Sequence, residues 1–187
     1  MAAAVLFDYH DPERLAGLIE GVDDSKRLTA DRREEVYGRV IGSATRVSVV
    51  VRAASTIDRS GLHVTNLDCL SKALCRVAPA DRMLCDGFTL PACNEPHERV
   101  VKGDSTSAAI AAASIVAKVV RDRLMRRAAE RLPAYGFDVH AGYATAMHRD
   151  AIVANGPSPL HRMSFASDAY RLHAGEQPGA QALPPAA

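Results

Sequence analysis

Two aspartates are placed as a phosphoryl-transfer site would need them. Asp86 closes the short run Arg82-Met-Leu-Cys-Asp86 and Asp104 closes Arg99-Val-Val-Lys-Gly-Asp104, each with a glycine beside it, Gly87 and Gly103. A carboxylate at the end of a strand, next to a residue without a side chain, can project into a site that backbone approaches closely. Hard divalent cations such as Mg2+ want oxygen ligands, and commonly take one or two carboxylates together with substrate phosphate oxygens. The same Asp-Gly pattern also builds ordinary turns.

The charge pattern suits an anionic partner. Arg99, Lys102, Lys118, Arg121, Arg123, Arg126, Arg127 and Arg131 stand against Asp104, Asp122 and Glu130, so this stretch has eight cations and three anions while the whole chain nets only +1. A balanced total thus hides a one-sided distribution of the kind that contacts phosphates, although a solvated helix face would read similarly. The C-terminal third interleaves aromatics with polar groups in Tyr135-Gly-Phe137, His140-Ala-Gly-Tyr143-Ala-Thr145 and Gly156-Pro-Ser-Pro-Leu-His161-Arg162-Met-Ser164-Phe165. Such residues can stack on sugars or bases and bind phosphate oxygens.

The elements that must position these groups alternate between strand and helix, the pattern of an α/β domain. Residues 2–7 form an unbroken apolar run and predict a strand covered on both faces. Thr29 is an N-cap candidate for a helix to Ser43, with Asp31 in its first turn. Arg46 to Arg52 is β-branched and reads as a strand. Ser55 to Gly61 reads as a short helical turn and Asn66 to Val77 as a helix. Strands ending at Asp86 and at Asp104 flank a proline-containing loop over 88–96. In the long helix from Ser107 to Arg131, Ala112, Ile115, Val116, Val119 and Val120 make an apolar stripe. Ser114, Lys118, Arg121 and Asp122 line its polar side, where we read structural roles. Thr145 to Ala154 predicts a further helix, and the Gly-, Pro- and Ala-rich tail over 174–187 is expected to be disordered.

The chain has 187 residues, 48% apolar and 24% charged, ordinary values for one globular domain. No apolar run approaches the ~20 residues that span a bilayer, and no membrane role is expected. The start lacks the basic head and apolar core of a signal peptide, so a cytoplasmic setting is expected. Cys69, Cys75, Cys85 and Cys93 form no C-x-x-C pair and read as free, buried thiols.

Taken together and in order, these pieces resemble the ribonuclease HII family. The matching motifs are Asp24-Ser-Lys-Arg-Leu28, Cys85-Asp-Gly87, Val101-Lys-Gly-Asp104, Ala111-Ala-Ala-Ser-Ile-Val-Ala-Lys118 with Arg121-Asp122-Arg123, Tyr135-Gly-Phe137, His140-x-Gly-Tyr143-x-Thr145, Gly156-Pro157 and His161-Arg162-x-Ser164-Phe165, over roughly Ala2 to Phe165. Ribonuclease HIII and junction resolvases fit these motifs less well. The resemblance implies an RNase H-like fold, a mixed β-sheet flanked by helices with a C-terminal helical segment, over residues 1–170. It implies a metal-dependent endonuclease, using Mg2+ or Mn2+, that acts on RNA–DNA hybrids and on duplex DNA containing ribonucleotides. Asp86 and Asp104 would be metal-binding carboxylates and Tyr143 the residue packed on the ribose at the RNA–DNA junction. Lys26, Lys102 and Arg162 would contact the nucleic-acid backbone. A monomer is expected.

Two departures from the family pattern stand out. Ala141 occupies a position where the family usually has lysine, which removes one phosphate contact. More seriously, the family begins with a strand ending in D-E-x-G-R-G, which supplies two more carboxylates, and no such motif exists here. In the RNase H fold that strand is central, between those expected at 2–7 and 82–86. Its loss leaves backbone groups unpaired at ~1–3 kcal/mol each, and two aspartates fall short of a two-metal clamp. Two expectations follow: that the natural start lies upstream of Met1, and, as the alternative function, that the chain is a non-catalytic or non-folding remnant.

Overall fold

The computed structural model describes residues 1–11, 13 and 28–175. They fall into two compact units, Met1–Arg52 with Ser60–Arg121, and Ala53–Arg59 with the chain from Asp122 onward.

In the first unit, β1 (Ala2–Leu6) pairs antiparallel with β2 (Arg46–Val50), Ala2 opposite Val50 and Leu6 opposite Arg46. Between them runs α1 (Ala30–Ser43), whose N-cap Thr29 accepts a hydrogen bond from the Arg32 backbone N–H at 3.3 Å. This cap satisfies one of the orphan donors at the helix start. As its unbroken apolar pattern predicts, β1 is covered on both faces. Ala2 and Ala4 pack with Val50, Cys69, Ala73 and Val77 on one side. Phe7, with Ala3 and Val5, packs against Val36, Val40, Ile115 and Val119 on the other.

The helix expected from Asn66 begins four residues earlier, as α3 (Leu62–Cys75), after the short α2 (Ala54–Ser60). Leu62 and Val64 are 52% and 60% exposed, so the first turn of α3 lies outside the core-facing periodicity that betrays a helix in sequence. Next, β3 (Leu84–Asp86) pairs parallel with β4 (Glu98–Val100). Gly87 N–H donates to Val100 O at 2.8 Å and Glu98 N–H to Met83 O at 2.9 Å, extending the ladder at both ends. Leu90 and Cys93 of the connecting loop bury themselves with Leu74, Met83 and Cys85.

The strands therefore make two two-stranded sheets rather than one mixed sheet. Among the described residues the second edge of β1 and that of β3 carry no partner strand. Both strands line one cavity of about 220 Å³, walled also by Leu70 and Leu74 of α3 and by Ile110, Ala113 and Ala117 of the long helix. After the four-residue α4 (Gly103–Thr106), that helix is α5 (Ala108–Arg131). Its predicted stripe is real: Ala112, Ile115, Val116 and Val119 are buried.

Three of the four thiols are buried as expected, but Cys75 is exposed. Its Sγ lies 3.0 Å from that of Cys93, and this contact, with burial, pushes the Cys75 thiol up to about 11.

The second unit contains α2 up to Arg59, the part of α5 from Asp122, a 3-10 turn (Pro133–Tyr135), α6 (Phe137–His140), α7 (Ala146–Asn155), a second 3-10 turn (Met163–Phe165) and α8 (Asp168–His173). Thr145 caps α7 by accepting from His148 N–H at 3.2 Å. The core is aromatic. Tyr135 stacks on Phe137 with centroids 5.4 Å apart, and its hydroxyl donates to Gly156 O at 2.8 Å. Of the tail expected to be disordered, Ala174 and Gly175 close α8, and residues 176–187 lie outside the described residues. No helix among the described residues is long and apolar enough to cross a membrane.

Ile115 is wholly buried where α5 meets β1 and α1. Ile115→Ala is expected to lower stability by about 2–5 kcal/mol and Ile115→Val by about 0.5–1.5 kcal/mol, read by urea denaturation. Equal losses for the two would contradict this packing.

Candidate active site

Asp86 is delivered by β3 to an exposed position at one end of the cavity. Its Oδ1 accepts a hydrogen bond from the Gly103 backbone N–H at 2.9 Å. That bond brings the Asp104 segment to Asp86, although the route differs from the expected one. The strand stops at Val100, and Asp104 lies not at a strand end but in the first turn of α4. The turn is made by Lys102, which adopts a left-handed conformation (φ 54°). Ser105 N–H and Thr106 Oγ1 both donate to Lys102 O, at 3.1 and 3.2 Å, and close the helical turn. A left-handed residue ends an extended path at once, whereas the Val100-Val101 pair alone suggests that the strand continues.

Gly103 is required here by contact rather than by φ. A Cβ at this position would collide with Ile110 Cδ1 and stand 3.3 Å from Asp86 Oδ1. Asp86, Lys102 and Asp104 are thus gathered at one place in the first unit. Ser114 lines the same cavity, and Lys118, Arg121 and Asp122 of α5 each make an interaction of their own. Lys26 lies outside the described residues.

In the second unit, Tyr143 sits between α6 and α7 with 57% of its surface exposed. Its backbone is tied on both sides: Tyr143 N–H donates to His140 O at 2.8 Å, and Tyr143 O accepts from His148 Nδ1 at 3.0 Å. Ala141, where the family usually has lysine, is the left-handed residue (φ 48°) that ends α6. Arg162 holds its guanidinium 3.7 Å over the half-exposed Phe165 ring, an arrangement that orients a planar cation without neutralising it.

The sequence reading missed Asp58. Its carboxylate accepts from Met163 N–H at 3.1 Å, Ser164 N–H at 2.9 Å and Ser164 Oγ at 2.6 Å, and so clamps the turn that carries Arg162. The Ser164 hydrogen bonds, side chain first and then backbone, hold the Asp58 carboxyl below its ordinary range. The sequence reading also left the histidines in a general polar cluster. His148 Nε2 lies 3.0 Å from His161 Nε2, so Tyr143 and Arg162 are joined through a histidine pair.

Among the described residues no group of three or more His, Cys, Asp or Glu forms a metal cage. Asp86 and Asp104 offer hard carboxylate oxygens suited to one divalent cation that shares its coordination with phosphate.

The sequence model of ribonuclease HII matches residues 1–168. This chain belongs to the ribonuclease HII family. Its relatives include ribonuclease HII of Rhizobium etli (strain CIAT 652), 47% identical over 167 residues, covering 88% of this chain and 70% of that protein. Ribonuclease HII of Brucella suis (strain ATCC 23445 / NCTC 10510) is 46% identical over 169 residues, covering 89% and 74%. The fold is similar to that of ribonuclease H2 from Pyrococcus horikoshii OT3 (TM-score 0.71, 20% identity, 93% of each chain). It is also similar to the RNase HII of an Archaeoglobus fulgidus complex with PCNA (TM-score 0.67, 26% identity, 82% and 81%). A third neighbour is Bst-RNase HIII in complex with Mn2+ (TM-score 0.58, 20% identity, 89% of this chain and 60% of that one). The α/β architecture and the membership of an endoribonuclease family, both expected from the motifs, are therefore established.

Gly103→Ala is expected to lower stability by about 1–3 kcal/mol, the usual range for overpacking. Ile110→Val removes the Cδ1 that collides, so the double variant should recover part of that loss. Chemical denaturation of the single and double variants checks this, and strictly additive losses would refute the contact.

Proposed function

We propose that the chain hydrolyses the RNA strand of RNA–DNA hybrids and cuts on the 5′ side of a ribonucleotide embedded in duplex DNA, with a divalent cation as cofactor. The observation that supports this reading is the hydrogen bond from Gly103 N–H to Asp86, which ties Asp86 to the backbone next to Asp104 in a ribonuclease HII chain. Asp86 and Asp104 would hold Mg2+ or Mn2+, which supplies charge neutralisation at the phosphate and a more acidic water.

The chain's own residues do the rest. Tyr143 packs its exposed ring on the ribose at the RNA–DNA junction. Lys26, Lys102 and Arg162 bind backbone phosphates and fix the register of the duplex. Water attacks phosphorus in line, its new P–O bond forming as the bond to the 3′-oxygen breaks. The products are a 3′-hydroxyl, which takes a proton, and a 5′-phosphate. The protein works as a monomer.

A second reading, a non-catalytic remnant, is favoured by one specific observation. Among the described residues β1 and β3 each leave one edge without a partner strand, and both line a common cavity, where a further strand would pair with both and bring additional carboxylates.

The deciding assay uses a DNA duplex with one embedded ribonucleotide, this chain, and the same chain with a strand ending in D-E-x-G-R-G fused ahead of Met1. Cleavage with Mg2+ by the fused chain only would support the need for the added strand. Cleavage by the chain as it stands would overturn the second reading. Asp86→Asn and Asp104→Asn should abolish cutting by the active form while hybrid binding persists. Arg162→Ala should weaken binding to all sequences and flatten the slope of log affinity against log salt by about 0.9. An unchanged slope would remove Arg162 from the phosphate contacts.

A further inference from the structure

We propose that His148 and His161 are positioning residues that hold the Tyr143 loop in place only while both rings are neutral, so that substrate engagement by this face weakens as pH falls. The proposal rests on the reading above that Tyr143 contacts nucleic acid.

The shortest hydrogen bonds set the proton arrangement, the Ser158 N–H at 2.8 Å from His161 Nδ1 prevailing over the Ser158 carbonyl at 3.3 Å from the same atom. Ser158 N–H donates to His161 Nδ1 at 2.8 Å, so that nitrogen presents a lone pair; the Ser158 hydroxyl lies 2.8 Å from the same atom. Neutral His161 therefore carries its proton on Nε2, which faces His148 Nε2 at 3.0 Å. His148 accepts there, so its own proton is on Nδ1 and is donated to Tyr143 O at 3.0 Å. The chain of donation runs from Ser158 through His161 and His148 to the Tyr143 carbonyl. His140 completes the frame: its Nδ1 accepts from Gly142 N–H at 3.1 Å and its Nε2 donates to Tyr135 O at 2.7 Å. The tautomer of each ring is set by the partner of its other nitrogen.

An added proton disturbs this arrangement. On His148 it would set two N–H groups against each other across 3.0 Å. On His161 it would displace the Ser158 N–H from Nδ1, the new N–H turning to the Ser158 hydroxyl or to Ser158 O at 3.3 Å. Either event breaks a link that ends at Tyr143. The surroundings oppose the charge as well. Burial is the main cause that lowers the pKa of both rings below 6.5, with repulsion from the neighbouring histidines adding to it. The titratable groups facing the pair are His140 of α6, with its ring 4.3 Å from that of His148, Tyr135 of the first 3-10 turn, and Tyr170 of α8. Arg162 and Asp58 act on Tyr170 from beyond it.

The sign follows directly. A folded-state pKa below the unfolded value means that the neutral pair contributes its full stabilisation above about 6.5. That contribution declines as pH falls from there toward the folded value, because the unfolded chain takes up the proton first.

The test separates the relay from the use made of it. In the folded chain at pH 7.5, nitrogen NMR of the imidazoles should show His148 protonated on Nδ1 and His161 on Nε2. Protection of the Gly142 and Tyr143 amides, measured relative to the intrinsic base-catalysed exchange rate at each pH, should fall several-fold on moving to pH 5.5. His148→Asn keeps a donor for Tyr143 O but cannot titrate, and should abolish that loss of protection. His148→Phe should leave the loop poorly protected at both pH values. Opposite tautomers, or an unchanged pH response in His148→Asn, would overturn the proposal.

Equilibrium binding of an RNA–DNA hybrid without divalent ion then reads the consequence. Affinity should fall several-fold over the same pH range in the unaltered chain and much less in His148→Asn. If Tyr143→Ala binds the hybrid as tightly as the unaltered chain, the assignment of this face to nucleic acid fails, and with it the functional half of the proposal. The exchange data still decide the positioning half.

Discussion

Burial on both faces leaves a strand only its two edges through which to satisfy its backbone, and β1 uses one of them. Its five residues are small enough for helices to close over either side, with α3 above Ala2 and Ala4 and with α1 and α5 against Ala3, Val5 and Phe7. That is the burial of an interior strand, yet β2 is its one partner among the described residues. β3 is in the same position, paired with β4 alone and lining the same cavity. A sheet edge is normally managed by charge, bulges or a covering element. Here three alanines and a cavity stand in their place, and the carboxylate of Asp86 sits at the end of the gap. The position of Asp86 therefore depends on the spacing of two edges that, among the described residues, no direct ladder bond fixes. What fixes Asp86 locally is one backbone N–H, that of Gly103, at a position where a Cβ would displace the end of the Ile110 side chain.

The second unit is built on a different principle. Its core holds histidines among aromatic rings, and a buried polar ring is tolerated only when each nitrogen has a partner of the right kind. His140, His148 and His161 meet that condition with backbone and hydroxyl groups and with one another. Around this frame the groups proposed to meet the substrate are left outward: the ring of Tyr143, and the guanidinium of Arg162 on Phe165. Asp58, fully outside the core, locks the Arg162 turn by three hydrogen bonds. Rigid support with exposed tips is how an aromatic and cationic surface keeps its shape.

Sequence patterns revealed the elements whose signals are local. Thr29 and Thr145 announced helix starts because an N-cap acts within three residues. The stripe on α5 was legible because its whole length faces one core. The start of α3 was hidden because Leu62 and Val64 point outward, so its first turn breaks the periodicity. Asp104 looked like a strand end because Val100-Val101 is β-branched, and nothing in composition reveals that Lys102 turns left-handed. Asp58 was beyond reach altogether, since its partners lie more than 100 residues away. The histidine pair failed for the same reason in milder form: His148 and His161 are 13 residues apart, with no periodic pattern to join them. Motif order disclosed the family. The contacts that fix individual side chains, such as that of Gly103 N–H with Asp86, are tertiary and left no trace in spacing.

Two supports so unlike each other call for different probes. The cation proposed for Asp86 and Asp104 acts on cleavage, so removing it should spare metal-free binding of the hybrid. The proposed histidine relay reaches Tyr143 through its backbone carbonyl, so loosening that loop should strike binding itself. Metal-free affinity therefore reads the relay without any contribution from the cation.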